Sequence, residues 1–262
     1  MAGWTNPVAQ NSSPDLDESS GKWTGKSLVD GTYSLNIYGV QPLSVNVFGE
    51  VTSYSGTSAP EKFDFLVGSA TTLEPYALIE SASSCYSCHQ DLYFHGGGRR
   101  GFDTCLACHG AAGAEDRPRY RAPLAPDTTG VQISFREMLH KIHMGAELTN
   151  ASSYVVVGFG AAPNNYTAHT YDEVVFPSLP GGVKSCETCH GASESWQEPA
   201  ARDHPTEQTL PVRSWKLVCN SCHDSSAATA HINSQTSMGA EACAVCHDSG
   251  SEWSVQRMHK VY

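Results

Sequence analysis

Ten cysteines and five histidines of this 262-residue chain share one pattern, Cys-x-x-Cys-His. Two thiols three residues apart can form thioether bonds to the same flat macrocycle, and the histidine that follows is then held where it can ligate a central iron. The thiols are those of Cys85, Cys88, Cys105, Cys108, Cys186, Cys189, Cys219, Cys222, Cys243 and Cys246. The histidines are His89, His109, His190, His223 and His247. Five copies with no cysteine left over predict five covalently attached haem c groups.

Zinc sites and disulfide frameworks also use closely spaced cysteines. Zinc pairs do not require a histidine directly after the second thiol, whereas every pair in this chain carries one. A disulfide between residues three apart would link no distant parts of the chain. Haem attachment is therefore the interpretation that the pattern favours.

Seven histidines lie outside the motifs and could supply the second axial ligand of each iron: His95, His140, His143, His169, His204, His231 and His259. Five irons need five of them. His169 lies in a Tyr/Thr-rich loop and His204 precedes a proline in a turn, so we interpret these two as non-ligands. We expect the ligands to be the other five, His95, His140, His143, His231 and His259.

The clearest helix is predicted around His140 and His143. Ser134 and Glu137 match a capping box, in which each side chain satisfies an otherwise unpaired amide. Apolar residues within 135–142 form one stripe, and a glycine that follows would end the helix. Because the two histidines are three residues apart, they project from one edge of the helix and could reach two neighbouring haems.

His95 opens the run His-Gly-Gly-Gly-Arg-Arg-Gly. Glycines would let the backbone pass close to a flat macrocycle, and Arg99 and Arg100 could pair with haem carboxylates. The run also spells G-x-G-x-x-G from Gly96 to Gly101. A dinucleotide site is excluded because no βαβ unit surrounds it and a haem motif lies on each side.

The chain divides into three predicted parts. Residues 1–25, rich in Ser, Asn, Pro, Gly and acidic side chains, predict a flexible lead. Residues 26–82 contain three runs of alternating apolar and polar residues and predict a small antiparallel β module. Residues 83–262 predict a mostly irregular and α-helical pentahaem domain, with short helices and loops around the haems. The segment 150–185 of that domain is expected to be loop.

Charge and hydropathy restrict the partners and the compartment. The net charge of −11 argues against nucleic acid as a partner, because phosphate binding requires a basic surface, and it favours cations or metal ions. The first residues show no signal-peptide pattern, so we expect a chain whose export signal has been removed, and no apolar run is long enough for a transmembrane segment. Haem c is normally attached outside the cytoplasm, so we expect an exported protein at the cell surface or outside the cell, with the periplasm as the alternative.

Several runs resemble the outer-membrane decahaem cytochromes of the OmcA/MtrC type, over about residues 30–262. They are Phe-His-Gly-Gly-Gly-Arg at 94–99, Ser-Phe-Arg-Glu-Met-Leu-His-Lys-Ile-His at 134–143, Tyr-Asp-Glu-Val-Val-Phe-Pro at 171–177, His231 between the last two motifs, and His-Lys at 259–260. The resemblance implies pentahaem domains that alternate with β domains, and bis-histidine ligation with the same five distal histidines. This chain differs in having one pentahaem set and a shorter β module.

Both the motifs and the resemblance indicate an electron-transfer protein. The resemblance implies that other multihaem cytochromes, metal oxides, metal ions or flavins accept the electrons. Two alternatives remain: a subunit of a conductive filament built from copies of the chain, and a multihaem reductase of a small oxyanion. A reductase needs an open iron position, so the abundance of histidines favours a carrier over a substrate-specific enzyme.

Overall fold

The structure is a computed structural model that describes residues 30–74, 83–95, 97–110, 131, 133–158, 167–178, 181–191, 214–237 and 240–259. Short helices and small two-stranded antiparallel sheets make up the regular structure of these residues. This agrees with the prediction of short helices and loops in the motif-bearing part. Within the same residues, no helix is both long and apolar enough to cross a membrane.

The first four strands form one long antiparallel ribbon. They are β1 (Gly31–Ile37), β2 (Val40–Val47), β3 (Glu50–Thr57) and β4 (Glu61–Val67). β1 pairs with β4 and β2 pairs with β3, so the two ladders follow one another along the ribbon. Two residues separate β1 from β2, whereas three separate β3 from β4. The side of the ribbon formed by β3 and β4 therefore carries one extra residue between its two strands, as in a β-bulge.

The ribbon turns at Phe48 and Gly49, whose φ angles of 53° and 90° are both positive. Two consecutive residues with positive φ match the twist of a tight hairpin. The three alternating runs predicted from the sequence lie in β1, β2 and β4, and β3 is an addition. The flexible lead predicted for residues 1–25 lies outside the described residues, and the boundaries of a β module at 26–82 stay a prediction.

Eight α-helices, three short 3₁₀ helices and three further strand pairs lie in the rest of the described chain. The helices are α1 (Ser83–Tyr86), α2 (Phe102–His109), α3 (Phe135–Met144), α4 (Glu187–His190), α5 (Ser214–Cys222), α6 (Ser226–Ser234), α7 (Ala244–His247) and α8 (Val255–Met258). The strands are β5 (Tyr93–Phe94), β6 (Arg99–Arg100), β7 (Val155–Gly158), β8 (Thr167–Thr170), β9 (Thr236–Ser237) and β10 (Ala240–Glu241). Each pair is antiparallel and consecutive in the chain.

Helix α3 has the predicted position but not the predicted capping box. Ser134 is its N-cap residue and is buried, yet its side chain makes no capping hydrogen bond. The first turn is closed by the backbone, since the amides of Glu137 and Met138 donate to the carbonyl of Ser134. Gly145 ends the helix with a φ of 45°, a conformation that favours glycine. A Cβ at this position would lie 2.3 Å from the carbonyl oxygen of Val174.

The segment 150–185 is not loop throughout, as the sequence analysis expected. β7 pairs with β8, from Val155 opposite Thr170 to Gly158 opposite Thr167. Three consecutive valines begin this hairpin, and β-branched side chains favour the extended backbone. Pairing with β8 satisfies their backbone groups and overrides the turn-forming residues on either side.

Three helix contacts and one ribbon contact position the motifs. Helix α3 packs against α5, α1 packs against α4, α5 packs against α6, and α2 packs against β1 of the ribbon. The sequence places the first motif directly after the ribbon, but it is α2, which carries the second motif, that contacts β1. Buried apolar side chains of the described residues are few: Val67, Phe102, Ile133, Phe135, Leu148, Tyr154, Val157 and Ile232.

Candidate haem centres

Every motif is wound into one helical turn that ends at its histidine. In four motifs the histidine amide donates to the carbonyl of the first cysteine, with distances of 2.8–3.0 Å at His89, His190, His223 and His247. The fifth histidine, His109, is the last residue of α2. Residues three and four apart share one helix face, so the turn presents both thiols and the imidazole to the same side. This is the arrangement that a covalently attached macrocycle needs.

Each motif histidine has one of the predicted distal histidines opposite it. The pairs, with their ring-centroid distances, are His89–His143 at 6.1 Å, His95–His109 at 6.1 Å, His140–His190 at 6.2 Å, His223–His259 at 5.7 Å and His231–His247 at 6.2 Å. No histidine is used twice. The five distal partners are the same five histidines that the sequence analysis selected.

These distances test whether the residues fit a haem iron. Two imidazoles on opposite sides of one iron, each with a bond of about 2 Å, have ring centroids about 6 Å apart. Rings in direct parallel contact would be closer than this. The five pairs therefore fit the axial positions of five bis-histidine haems, and that ligand assignment stays a prediction.

One ring of every pair is oriented by a hydrogen bond from Nδ1 to a backbone carbonyl. The donors and acceptors are His143 to Leu139 at 2.7 Å, His109 to Ile133 at 2.8 Å, His140 to Arg136 at 2.5 Å, His259 to Val255 at 2.9 Å, and His247 to Trp253 at 2.8 Å. A carbonyl can only accept, so Nδ1 carries the proton and Nε2 carries the lone pair. This tautomer is the one that a metal ligand bound through Nε2 requires.

Burial lowers the pKa of His140 and of His223. A lower pKa keeps the ring uncharged at neutral pH, and the lone pair of an uncharged ring is what a metal binds. Both shifts therefore favour the ligand form of these side chains.

The ten motif cysteines are all described, and none forms a disulfide. Burial raises the pKa of Cys105 and Cys222 to about 11 and that of Cys219 to about 12. A structural zinc site would gather four ligands around one ion. Among the described residues, no group of three or more His, Cys, Asp or Glu side chains converges in that way.

Electrostatic contact between thiols shows which motifs are neighbours. The pKa of Cys105, in the second motif, is raised partly by the charge of Cys85 in the first. The pKa of Cys189, in the third motif, is raised partly by the charges of Cys85 and Cys88 in the first. In the fourth motif, the pKa of Cys222 is raised partly by Cys186 of the third motif, and the pKa of Cys219 partly by Cys243 of the fifth. The motifs therefore follow one another in space in the order second, first, third, fourth, fifth.

Helix α3 links the first and third motifs, because its two histidines face histidines of different motifs. His140 faces His190 of the third motif, and His143 faces His89 of the first. The two distal side chains lie three residues apart on one helix edge, as predicted. One short helix therefore places an imidazole opposite the histidines of two adjacent motifs.

Acidic side chains anchor the fourth motif from two sides. The carboxylate of Glu241 accepts hydrogen bonds from the amides of Trp215 and Lys216, in the first turn of α5. The carboxylate of Asp224, next to His223, accepts from the amides of Thr149 and Asn150, each at 2.8 Å. Glu241 satisfies amides that a helix N-terminus leaves unpaired, and its charge complements the helix dipole.

The hairpin of β5 and β6 presents His95 at its tip. His95 has a φ of 52° and Gly97 a φ of 81°, so the chain reverses within four residues. The arginines after the loop contact protein groups. Arg99 lies 5.8 Å above the Tyr38 ring, and the guanidinium of Arg100 hydrogen bonds both Asp91 and Thr57. The ribbon and the His95 hairpin are therefore directly connected.

Two aromatic residues that the sequence analysis did not assign to the site pack on its histidines. Phe135 stacks on His109 with centroids 5.1 Å apart and planes 6° from parallel. Phe176 contacts His143 edge to face at 5.7 Å. Phe135 was predicted only as part of an apolar stripe, and Phe176 lies in a run that had been noted only for the resemblance. Nothing in their spacing indicated contact with a ligand ring.

Of the two histidines interpreted as non-ligands, only His169 lies among the described residues. His169 is exposed on β8 opposite Val156, and in the described part of the chain it makes no ring contact with a motif histidine. His204 lies outside the described residues. Its role as a non-ligand stays a prediction.

Comparisons with known proteins identify the family. The family described as outer membrane cytochrome MtrC/MtrF-like, domains II/IV, matches residues 78–260. Among solved structures, the crystal structure of the outer membrane decaheme cytochrome OmcA matches at 21% identity with a TM-score of 0.45, over 82% of this chain and 28% of that one. No curated protein matches. The matched segment is more than half of the chain and contains all five motifs, so the chain belongs to the MtrC/MtrF-like family of outer membrane multihaem cytochromes.

Proposed function

We propose that this chain is an exported electron-transfer protein that holds five bis-histidine haem c groups. The observation that carries the proposal is the set of five histidine pairs, each 5.7–6.2 Å between ring centroids and each containing one motif histidine. The cysteine pairs would hold the haems by thioether bonds. When bound, each haem would supply one iron that takes up and releases a single electron.

The chain itself would set the spacing and the properties of these centres. Backbone carbonyls hold one ring of every pair in the ligand tautomer, and α3 ties the distal sides of the first and third centres together. The neighbour relations of the thiols support a route from the second motif through the first, third and fourth to the fifth. Electrons would then enter or leave at the second and fifth motifs.

The fifth motif is the better candidate for an exposed end. Its second thiol, Cys246, is exposed, and the neighbouring Val245 has 81% of its surface exposed. Trp253, whose carbonyl orients His247, is 53% exposed. On an acidic surface such an edge would suit transfer to a partner cytochrome, to metal ions or metal oxides, or to flavins, at the cell surface.

The reductase alternative is disfavoured by the same histidine pairs. A small-oxyanion reductase needs one iron with an open position, whereas each of the five motif histidines has a distal partner. The filament alternative differs from the carrier in assembly rather than chemistry. Sedimentation of the holoprotein at high concentration separates the two, since a strictly monomeric particle contradicts the filament.

Carbon monoxide binding tests the proposed ligation. The mass of the exported protein should exceed that of the polypeptide by five haem groups, and its reduced spectrum should barely change when carbon monoxide is added. Haem irons with two histidine ligands have no position for this gas. Prompt binding at one haem per chain would contradict bis-histidine ligation there and would revive the reductase.

A further inference from the structure

Two half-buried polar side chains end in atoms that have no hydrogen-bond partner. Nη1 of Arg136 is buried without a partner, and so are both Nε2 and Oε1 of Gln256. Arg136 lies in the first turn of α3, and Gln256 lies in α8. Burying such groups unpaired is unfavourable, and the cost is greatest for a charged group.

No ion pair joins Arg136 to a carboxylate of the described residues. Its Nη1 has no hydrogen-bond partner, and the ion pairs within the described residues involve Lys62 and Arg100 instead. A single neutral atom, such as the buried Oγ1 of Thr104 or Oδ1 of Asn36, can be satisfied by a water molecule, whereas Gln256 leaves both a donor and an acceptor unpaired. A partly buried guanidinium is instead stabilised best by a negative partner, because an uncompensated charge away from water is costly. A carboxylate of a bound group would supply that charge.

Both side chains occupy the same place relative to a distal histidine. Arg136 precedes His140 by four residues on α3, and Nδ1 of His140 donates to the backbone carbonyl of Arg136. Gln256 precedes His259 by three residues, and α8 ends immediately before that histidine. Residues three and four apart lie on one helix face. Each orphan group therefore lies one turn along the helix from an imidazole that faces a motif histidine.

We propose that Arg136 and Gln256 are anchors for haem propionates, an inference that rests on the proposed five-haem function. Arg136 would bind a propionate of the haem between His140 and His190, and Gln256 would donate to a propionate of the haem between His223 and His259. A carboxylate supplies the negative charge that Arg136 lacks, and its pairing with a guanidinium is charge-assisted. In contrast, Arg99 and Arg100, which the sequence suggested for this role, contact protein groups.

The pairing has a consequence for the iron that Arg136 serves. An unpaired propionate stabilises the more positive, oxidised iron, and a guanidinium that neutralises this carboxylate removes the effect. Arg136 would therefore hold the potential of one haem above the value that it would otherwise have. A role in folding alone would leave the potential unchanged once the haems are bound.

Spectroelectrochemical titration of the holoprotein tests the proposal with a matched pair of variants. Arg136→Gln should move one of five one-electron waves to lower potential while the haem count stays at five and all haems stay low-spin. Arg257→Gln removes the same charge from an exposed side chain on α8 and should leave all waves in place. Arg136→Lys keeps the charge but not the planar fork, so its wave should lie between those of the wild type and Arg136→Gln.

The outcomes separate the anchor from the proposed function. Five low-spin haems with unmoved waves in Arg136→Gln would overturn the Arg136 anchor alone, and so would an equal shift in Arg257→Gln. If Arg136→Gln yields no holoprotein, the Arg136→Lys variant takes its place. A titration of Arg136→Lys identical to that of the wild type would then overturn the Arg136 anchor. Gln256→Leu should lower a different wave, and an unchanged titration removes Gln256 from the proposal. A wild-type protein without five low-spin haems would overturn the proposed function itself.

Discussion

The imidazole rings of His95 and His109 lie 6.1 Å apart between centroids, with planes only 11° from parallel. The rings of His89 and His143 have the same separation but planes 77° apart. His140 and His190 resemble the first pair at 15°, His231 and His247 resemble the second at 89°, and His223 and His259 are intermediate at 50°. Similar spacing with different ring angles predicts that haems bound between these pairs would differ electronically.

Electron paramagnetic resonance should resolve these ring angles. Parallel axial imidazoles split two iron d orbitals and give rhombic low-spin signals, whereas perpendicular rings leave them nearly equal and give a signal with one very large g value. We expect the oxidised protein to show both types, with two near-parallel and two near-perpendicular centres. A spectrum containing rhombic signals only would contradict the ring angles of His89–His143 and His231–His247.

Replacing the two histidines of α3 should affect two different haems. His140→Ala should convert one of the five haems to high spin and remove a rhombic signal, because its pair is near parallel. His143→Ala should also convert one haem, but it should remove a large-g signal, because its pair is near perpendicular.

The control for these variants is His169→Ala, which removes an exposed histidine on β8 and should leave every haem low-spin. If His140→Ala and His143→Ala both retain fully low-spin spectra, α3 is an amphipathic helix with no ligand role. Loss of the same signal in both would contradict their assignment to separate motifs.

Gly98 should be intolerant of a side chain, because it is where the His95 hairpin meets the ribbon. A Cβ at Gly98 would lie 2.8 Å from Cγ2 of Val40, closer than carbon atoms pack. Gly98→Ala should therefore destabilise the hairpin by about 1–3 kcal/mol and raise the high-spin fraction of the His95–His109 haem. Thermal unfolding and the absorption spectrum measure the two effects.

Val40→Ala in the same chain removes the clashing methyl group and should restore the low-spin spectrum of Gly98→Ala. This double variant separates a steric effect from a general loss of backbone freedom. A failure of Val40→Ala to restore Gly98→Ala would show that the ribbon does not restrain the distal loop.

Redox titration should show potentials that lie mostly below that of the hydrogen electrode and cover a broad range. Imidazole pairs lack the thioether sulfur that raises the potential of a haem iron. The five irons are also neighbours, so each charge gained or lost changes the potential of the next. One sharp wave at a strongly positive potential would contradict bis-histidine ligation.

Local features of the sequence were sufficient to predict the attachment motifs and the helix around His140. Both depend on residues within one or two helical turns, where spacing alone determines which side chains share a face. The capping box failed because the side chain of Ser134, although correctly placed at the N-cap, is buried and forms no bond to the helix. Three of the four ribbon strands were predicted from the alternation of apolar and polar residues. Strand β7 was missed, because the turn-forming residues around its three valines favoured a loop.

The sequence by itself predicted that five motif histidines need partners, and it reduced the seven other histidines to five candidates. It could not determine which pairs form, because that depends on contacts between residues far apart in the chain. His143 faces His89 across 54 positions, and His140, one turn away, faces His190 in the opposite direction along the chain. Such pairs depend on tertiary contacts, such as those of α1 with α4 and of α3 with α5, and no local spacing encodes the meeting of two helices.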